Sequence, residues 1–358
     1  MIIIDLFFKK ILKFNGVDFV LNYFFNLGSL LGLVMVIQVI SGVLLVLYYT
    51  VEEHLAFNSI QYLIMEVNSG WLVRLLHFNL ASFFFLVLFL HLLKAMFYFR
   101  SRLKLVWLIG LLIFLLIMME AFLGYALIWS QISFWAATVI TSLIRVIPFF
   151  GRKIIVLFWG GYYLNSFSLK FFFLIHFFLP LMIFVIIFFH LFFLHRYGRS
   201  NGLINSAKIN KRSFFPFFWV KDFVNLFFFL SFIFFFLLEP FKFNEFLRFV
   251  GVNNLVSPIH IVPEWYFLWA YAILRAFSIK WVGVIIILFR VLVFFLFKGK
   301  IIVNDLLRVF LVFIFFFNFL FLTWLGGQEP LFPFVDLSFW FSVSYFFLLL
   351  LINLNLLL

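Results

Sequence analysis

The chain has 358 residues, 67% of them hydrophobic and 11% charged, with a mean hydropathy of +1.25 and a formal net charge of +13. That balance excludes a soluble globular domain, and the lack of any cysteine excludes disulfides, thiolate-held metal clusters and covalent C-x-x-C-H cofactor attachment. The basic excess does not point to nucleic acid, because Lys and Arg sit in short connections between apolar stretches, where positive charge sets membrane topology.

In chain order, Met1 to Val20 pairs a short apolar start with Lys9, Lys10 and Lys13 and lacks the core and cleavage site of a signal peptide. It reads as an amphipathic helix lying on the membrane surface. Eight apolar stretches follow, each about 20 residues long and so able to cross a bilayer. They are spans A to H, at 27–49, 74–97, 106–127, 168–194, 223–241, 281–298, 305–325 and 336–357. The expected fold is an all-α membrane protein with eight transmembrane helices, the first four forming a bundle. The C–D connection (128–167) and the E–F connection (242–280) are long and rich in aromatic residues with Gly or Pro, and long ordered loops tend to carry function. A soft boundary falls in the polar D–E connection, Arg196 to Lys211. If all eight spans cross, both termini share a side with most of the 26 Lys and Arg, which is the matrix or cytoplasmic, negative side. No Arg- and Ser-rich transit segment is evident, so the chain reads as made in the compartment where it works. The 66 Phe residues are mostly lipid-facing filler, consistent with AT-rich codons.

Two histidine pairs share one spacing, His77 with His91 and His176 with His190, each fourteen residues apart. Gly28 with Gly42, and Gly110 with Gly124, repeat it. Fourteen helical steps return to nearly the same face after a rise of about 21 Å. Spans B and D run parallel, so His77 matches His176 in depth on the positive side, and His91 matches His190 on the negative side. Two imidazoles facing two imidazoles at two levels is the axial ligand set of two stacked haems. Glycines at matching levels would let flat macrocycles press against neighbouring helices. A single small metal ion cannot join one pair across 21 Å or so. His54 has no partner pattern.

Arg74 lies one turn before His77, and Lys94 and Arg100 follow His91. All three suit carboxylate anchoring of a macrocycle, or ordinary snorkelling to the interface. Glu120 sits inside span C, four residues before Gly124. Its carboxyl either bonds a neighbouring backbone oxygen in protonated form, or relays protons or tunes a haem. Glutamine at this position with unchanged turnover and haem midpoints would eliminate the second reading. A di-haem subunit passing electrons one way, and a transporter with incidental histidines, are the rival classes; the second predicts a colourless protein.

At Pro263-Glu264-Trp265-Tyr266 a carboxylate stands beside aromatics in the E–F connection. Together with the paired histidines and glycines, this segment resembles cytochrome b of the quinol–cytochrome c oxidoreductases, respiratory complex III. The resemblance runs through Asn26-Leu27-Gly28-Ser29, Gly70-Trp71, Phe122-Leu123-Gly124-Tyr125, Gln131-Ile132-Ser133-Phe134-Trp135, Trp159-Gly160-Gly161, Ala270-Tyr271-Ala272-Ile273-Leu274-Arg275 and Trp324-Leu325-Gly326-Gly327. It implies a di-haem bundle over 1–200 and a C-terminal four-helix region with a quinol-site loop over 201–358. It implies two non-covalent, bis-histidine haem b groups and ubiquinol as substrate. On the positive side Glu264 would accept a proton, with Tyr266, Tyr125 and Tyr271 shaping the pocket. On the negative side His195 and Asp222 would bracket a quinone, with Lys221 as proton donor; a solvated helix start is the plainer account of Lys221 and Asp222. Implied partners are a Rieske iron–sulfur protein, a c-type cytochrome, other complex III subunits, membrane lipid and a second copy of the complex. The implied location is the mitochondrial inner membrane, with a bacterial plasma membrane as the alternative, and the chain is not expected to turn over alone.

The chain departs from the family pattern at three points. Ile128 stands where proline is usual, which frees φ there, and Ser130 and Ala136 stand where glycine is usual. In the family, alanine at the Ala136 position goes with resistance to strobilurin-type inhibitors. Intrinsic resistance is expected here, and a nanomolar azoxystrobin block of quinol oxidation would rule it out.

Overall fold

The computed structural model describes residues 16–18, 23–98, 103–198, 211–213, 217–242, 246–277, 283, 285 and 305–355. Among them, eleven α-helices dominate: α1 Leu27–Val46, α2 Ala56–Met65, α3 Gly70–Phe97, α4 Lys104–Ala126, α5 Gln131–Ser142, α6 Gly151–Trp159, α7 Ser166–Tyr197, α8 Phe217–Leu238, α9 Trp265–Arg275, α10 Asp305–Gly326 and α11 Phe334–Asn355. Seven are long and apolar enough to cross a membrane: α1 with the 3-10 turn before it, α3, α4, α7, α8, α10 and α11. These correspond to the expected spans A to E, G and H. Span F, at 281–298, lies outside the described residues apart from two positions.

The N-terminal expectation needs correcting at its end. Gly16–Asp18 form β1, which pairs antiparallel with β2, Lys211–Ser213. Backbone donors and acceptors there are satisfied by the D–E connection instead of by a helical turn. Residues 1–15, including Lys9, Lys10 and Lys13, lie outside the described residues.

Helix α1 packs on α3 and α4 packs on α7, which makes the four-helix bundle; α9, α10 and α11 pack together beside it. The bundle core is aliphatic and aromatic, with Val34, Phe83, Phe85, Val87 and Ile183 at or near zero exposure. A second core joins Trp107 and Leu111 of α4 to Ile273, Leu325 and Leu349 of the C-terminal helices. The outer faces carry exposed phenylalanines, among them Phe188, Phe227 and Phe234, as expected of a surface solvated by lipid.

The C–D connection is itself helical. Ser130 caps α5 reciprocally with Ser133, and Asn165 caps α7 with Ser168; the Asn165 side chain accepts from Phe167 N–H at 2.8 Å. Gly160 ends α6 at φ +67, where an added Cβ would meet the Phe167 ring at 2.1 Å. Trp159 Nε1–H donates to Thr141 Oγ1 at 2.9 Å, and Ser168 Oγ–H donates to the Trp159 carbonyl at 2.7 Å. The whole connection is thereby locked over one end of the bundle. Beside Ile128, Trp129 takes a positive φ of 52, and Ser130 supplies the cap that starts α5.

Candidate functional site

Helices α1, α3, α4 and α7, with α2 and the start of α9, line a cavity of about 270 Å³ whose lining includes Arg74, His77, Glu120, His176 and Glu264. Its walls are otherwise mostly aliphatic and aromatic. His77 comes from α3 and His176 from α7. Their ring centres are 6.4 Å apart and the ring planes are nearly perpendicular, at 89°.

The hydrogen bonds around these two rings favour one tautomer in each. Ser41 Oγ–H donates to the Gln38 carbonyl at 3.1 Å, so its lone pair is left to accept from His77 Nδ1–H at 2.9 Å. His176 Nδ1 meets two acceptors, the Glu120 backbone carbonyl at 3.1 Å and the Glu120 carboxylate Oε1 at 2.7 Å. With Nδ1 protonated on both rings in this pattern, both Nε2 lone pairs are available for a metal. Two metal–imidazole bonds of about 2.0 Å, plus roughly 1.1 Å from each nitrogen to its ring centre, would set two imidazoles on one ion about 6.2 Å apart. The residues present therefore fit a group whose central ion takes one imidazole on each side.

The four glycines face the histidines, one to one. An added Cβ would lie 3.4 Å from His91 Cε1 at Gly28, 3.1 Å from His77 Cε1 at Gly42, 3.1 Å from His190 Cε1 at Gly110 and 2.6 Å from His176 Cε1 at Gly124. The sequence led to an expectation of notches for macrocycle faces; in the structure the notches receive imidazole edges. Their physical reason is the close packing of α1 on α3 and α4 on α7, which crowds a Cβ under His77, His190 and above all His176, and leaves an ordinary contact under His91. At the second level, neither His91 Nδ1 nor His190 Nδ1 has a side-chain hydrogen-bond partner among the described residues.

The carboxylate of Glu264 stands at the start of α9 and is buried, at 7% exposure. It pairs with Arg248, which is buried to the same degree and also stacks over Phe78 (4.3 Å) and Tyr125 (5.5 Å). Tyr266 stacks flat on Phe85 at 4.1 Å. Burial, and the neighbouring Glu264 charge, push its phenol well above the usual range, so its hydroxyl stays protonated. Tyr125, Tyr266 and Glu264 share the cavity lining. Tyr271 does not; it lies five residues beyond Tyr266, about 140° around the helix, with Arg275 over its ring at 5.5 Å. Gln131 ties the two long connections together. Its N–H donates to the Val250 carbonyl (2.9 Å), its Nε2 to the Val256 carbonyl (2.6 Å), and its Oε1 accepts from Asn253 N–H (2.7 Å). Ala136 packs in a small apolar cluster with Tyr125, Ile128 and Ile132.

The remaining sequence-selected residues lie elsewhere. Arg74 joins the cavity lining and sits over Phe78 at 5.7 Å. Lys94 sits over Phe25 at 4.1 Å, and Arg100 lies outside the described residues. Asp222 accepts from Asn26 Nδ2 and Ser29 Oγ, both at 2.7 Å, which fastens the start of α8 to the start of α1. Lys221 faces Tyr23 at 5.9 Å. His195 is exposed on the last turn of α7 and is not hydrogen-bonded to Asp222. Sequence reasoning missed Ser41, Gln131 in its tethering role, and Arg248. Only Ser41, adjacent to Gly42, carried a local signal.

The profile of the family described as "Cytochrome b/b6/petB" matches residues 15–198, and that described as "Cytochrome b(C-terminal)/b6/petD" matches residues 251–346. The chain is 45% identical over 327 residues to "Cytochrome b" of Caenorhabditis briggsae, covering 90% of this chain and 88% of that one. It is 40% identical over 333 residues to "Cytochrome b" of Apis mellifera ligustica, covering 91% and 87%. A chain of a solved "Hyperthermophilic respiratory Complex III" superposes with a TM-score of 0.92 at 27% identity, covering 99% of this chain and 96% of that chain. With matched segments from residue 15 to residue 346 and relatives at this identity over nine-tenths of its length, the chain belongs to the cytochrome b/b6 family.

Proposed function

We propose that this chain is the haem- and quinone-bearing core of a protonmotive quinol:cytochrome c oxidoreductase, with eight membrane spans, a di-haem bundle over 1–200 and a C-terminal region over 201–358. The observation that carries the reading is the pair His77 and His176: each Nδ1 is bonded to an acceptor, and the ring centres stand 6.4 Å apart across a shared cavity. His91 and His190 form the second pair one repeat further along the same two helices, about 21 Å away. Bound at both levels, haem b would supply two one-electron centres stacked across the membrane.

The chain's own residues do the rest. Ser41 and Glu120 fix the tautomers of His77 and His176, and the four glycines seat the ligand rings. Arg74 and Lys94 offer cations for propionates. On the positive side, Glu264 accepts a proton from the quinol hydroxyl, while Arg248 holds that carboxylate in place. Tyr266 stays protonated and packs the pocket wall with Tyr125; Tyr271 contributes from the far face of α9. Gln131 keeps the two long connections closed over this site. On the negative side, His195 reaches water and delivers protons to a quinone, with Lys221 and Asp222 at the same membrane edge. The partners are a Rieske iron–sulfur protein, which takes one electron from quinol, and a c-type cytochrome, within a dimeric complex III of the mitochondrial inner membrane. Relatives from worm, bee and yeast support that location.

The test is a dithionite-minus-ferricyanide spectrum with a pyridine haemochrome count on the isolated complex. Two haem b per chain, with quinol:cytochrome c activity, is expected; one haem, or none, overturns the reading.

A further inference from the structure

We infer that Glu120 is a positioning residue that strengthens His176 as a metal donor and so lowers the reduction potential at the His77/His176 level. This rests on the reading of His176 as a haem ligand. One helix, α4, grips the His176 ring twice. Gly124 provides its seat, and Glu120, one turn earlier, places carboxylate Oε1 2.7 Å from Nδ1. The second oxygen, Oε2, is buried without a hydrogen-bond partner among the described residues, so no other side chain competes for the carboxylate's electron density.

An acceptor on Nδ1–H makes Nε2 a stronger donor to a metal. Stronger donation favours ferric over ferrous iron and lowers the reduction potential. At this level both ligands have a side-chain acceptor, Ser41 on His77 and Glu120 on His176. At the other level neither ligand has one. A carboxylate is the strongest acceptor of the set, so the asymmetry resides chiefly in Glu120.

The experiment is a redox titration of the intact complex, read haem by haem in the α-band and by low-spin ferric EPR, for wild type, Glu120→Gln and Glu120→Leu. The backbone carbonyl of residue 120 still accepts from His176 Nδ1–H in both variants, so ring orientation and haem are kept. In Glu120→Leu the ferrous-to-ferric ratio of the His77/His176 haem at fixed ambient potential should rise about tenfold or more, with ~59 mV corresponding to each tenfold step for one electron. Glu120→Gln should shift it in the same direction by less, and the His91/His190 haem should not move. Should Glu120→Leu fail to assemble, Glu120→Gln decides alone. Unchanged midpoint and EPR signal in the assembled variants, or equal shifts at both haems, would overturn the inference. Absence of a bis-imidazole haem at this level in wild type would instead overturn the ligand reading beneath it.

Discussion

Alanine at position 124 is expected to loosen one haem and leave the other in place. The Cβ of such a variant would lie 2.6 Å from His176 Cε1 and 3.1 Å from Nε2, well inside ordinary contact. The ring cannot retreat freely, because its Nδ1 is bonded to Glu120. Overpacking of this kind costs about 1–3 kcal/mol, which corresponds to roughly a 5- to 150-fold loss in haem retention. Gly28 is the internal control. Its added Cβ would lie 3.4 Å from His91 Cε1, an ordinary contact, and Gly→Ala inside a helix gains up to about 1 kcal/mol of intrinsic propensity. Gly28→Ala should therefore keep its haem, while Gly42→Ala and Gly110→Ala, both at 3.1 Å, should fall between. The assay is haemochrome content after detergent washing, with the α-band resolving which haem is lost. Equal retention in Gly28→Ala and Gly124→Ala would show that the glycines do not seat the ligand rings.

Three further outcomes are expected. Leucine in place of His91 should remove the His91/His190 haem while the first level and quinol binding near Glu264 survive; two intact α-band components would contradict this. Glu264→Gln should slow quinol oxidation about 100-fold or more, the usual contribution of a positioned general base, at unchanged haem content; a wild-type rate would assign proton acceptance to another group. Arg248→Ala would leave the Glu264 carboxylate buried without this cation, a change that costs about 3–5 kcal/mol at a buried pair. It should lower the thermal midpoint of the complex and the quinol oxidation rate together, and an unshifted melting curve would show that the pair contributes nothing.

The membrane helices were legible because their signal is local: a run of apolar residues long enough to span a bilayer identifies itself. The histidines and glycines were legible because a spacing of fourteen converts directly into one helix face at two heights. The contacts that finish the site were not. Arg248 reaches Glu264 across sixteen residues and a 3-10 turn, and Gln131 meets Val256 across 125 residues. No periodicity encodes such meetings; they follow from how the C–D and E–F connections fold onto each other. Helices α5 and α6 hid inside a segment read as loop, although the Ser130/Ser133 and Asn165/Ser168 pairs flanking them are recognisable caps. Strand β1 escaped because its three residues pair with a segment almost 200 residues away. Glu120 was visible as an ionisable residue at membrane depth, but its partner, His176, was not.

On the proposed reading, α3 and α7 present imidazole nitrogens to one another at two heights. A density map of the purified complex tests it most directly. Two porphyrins, one coordinated by His77 and His176 and the other by His91 and His190, are predicted; a single porphyrin, or none, between those helices would contradict the account.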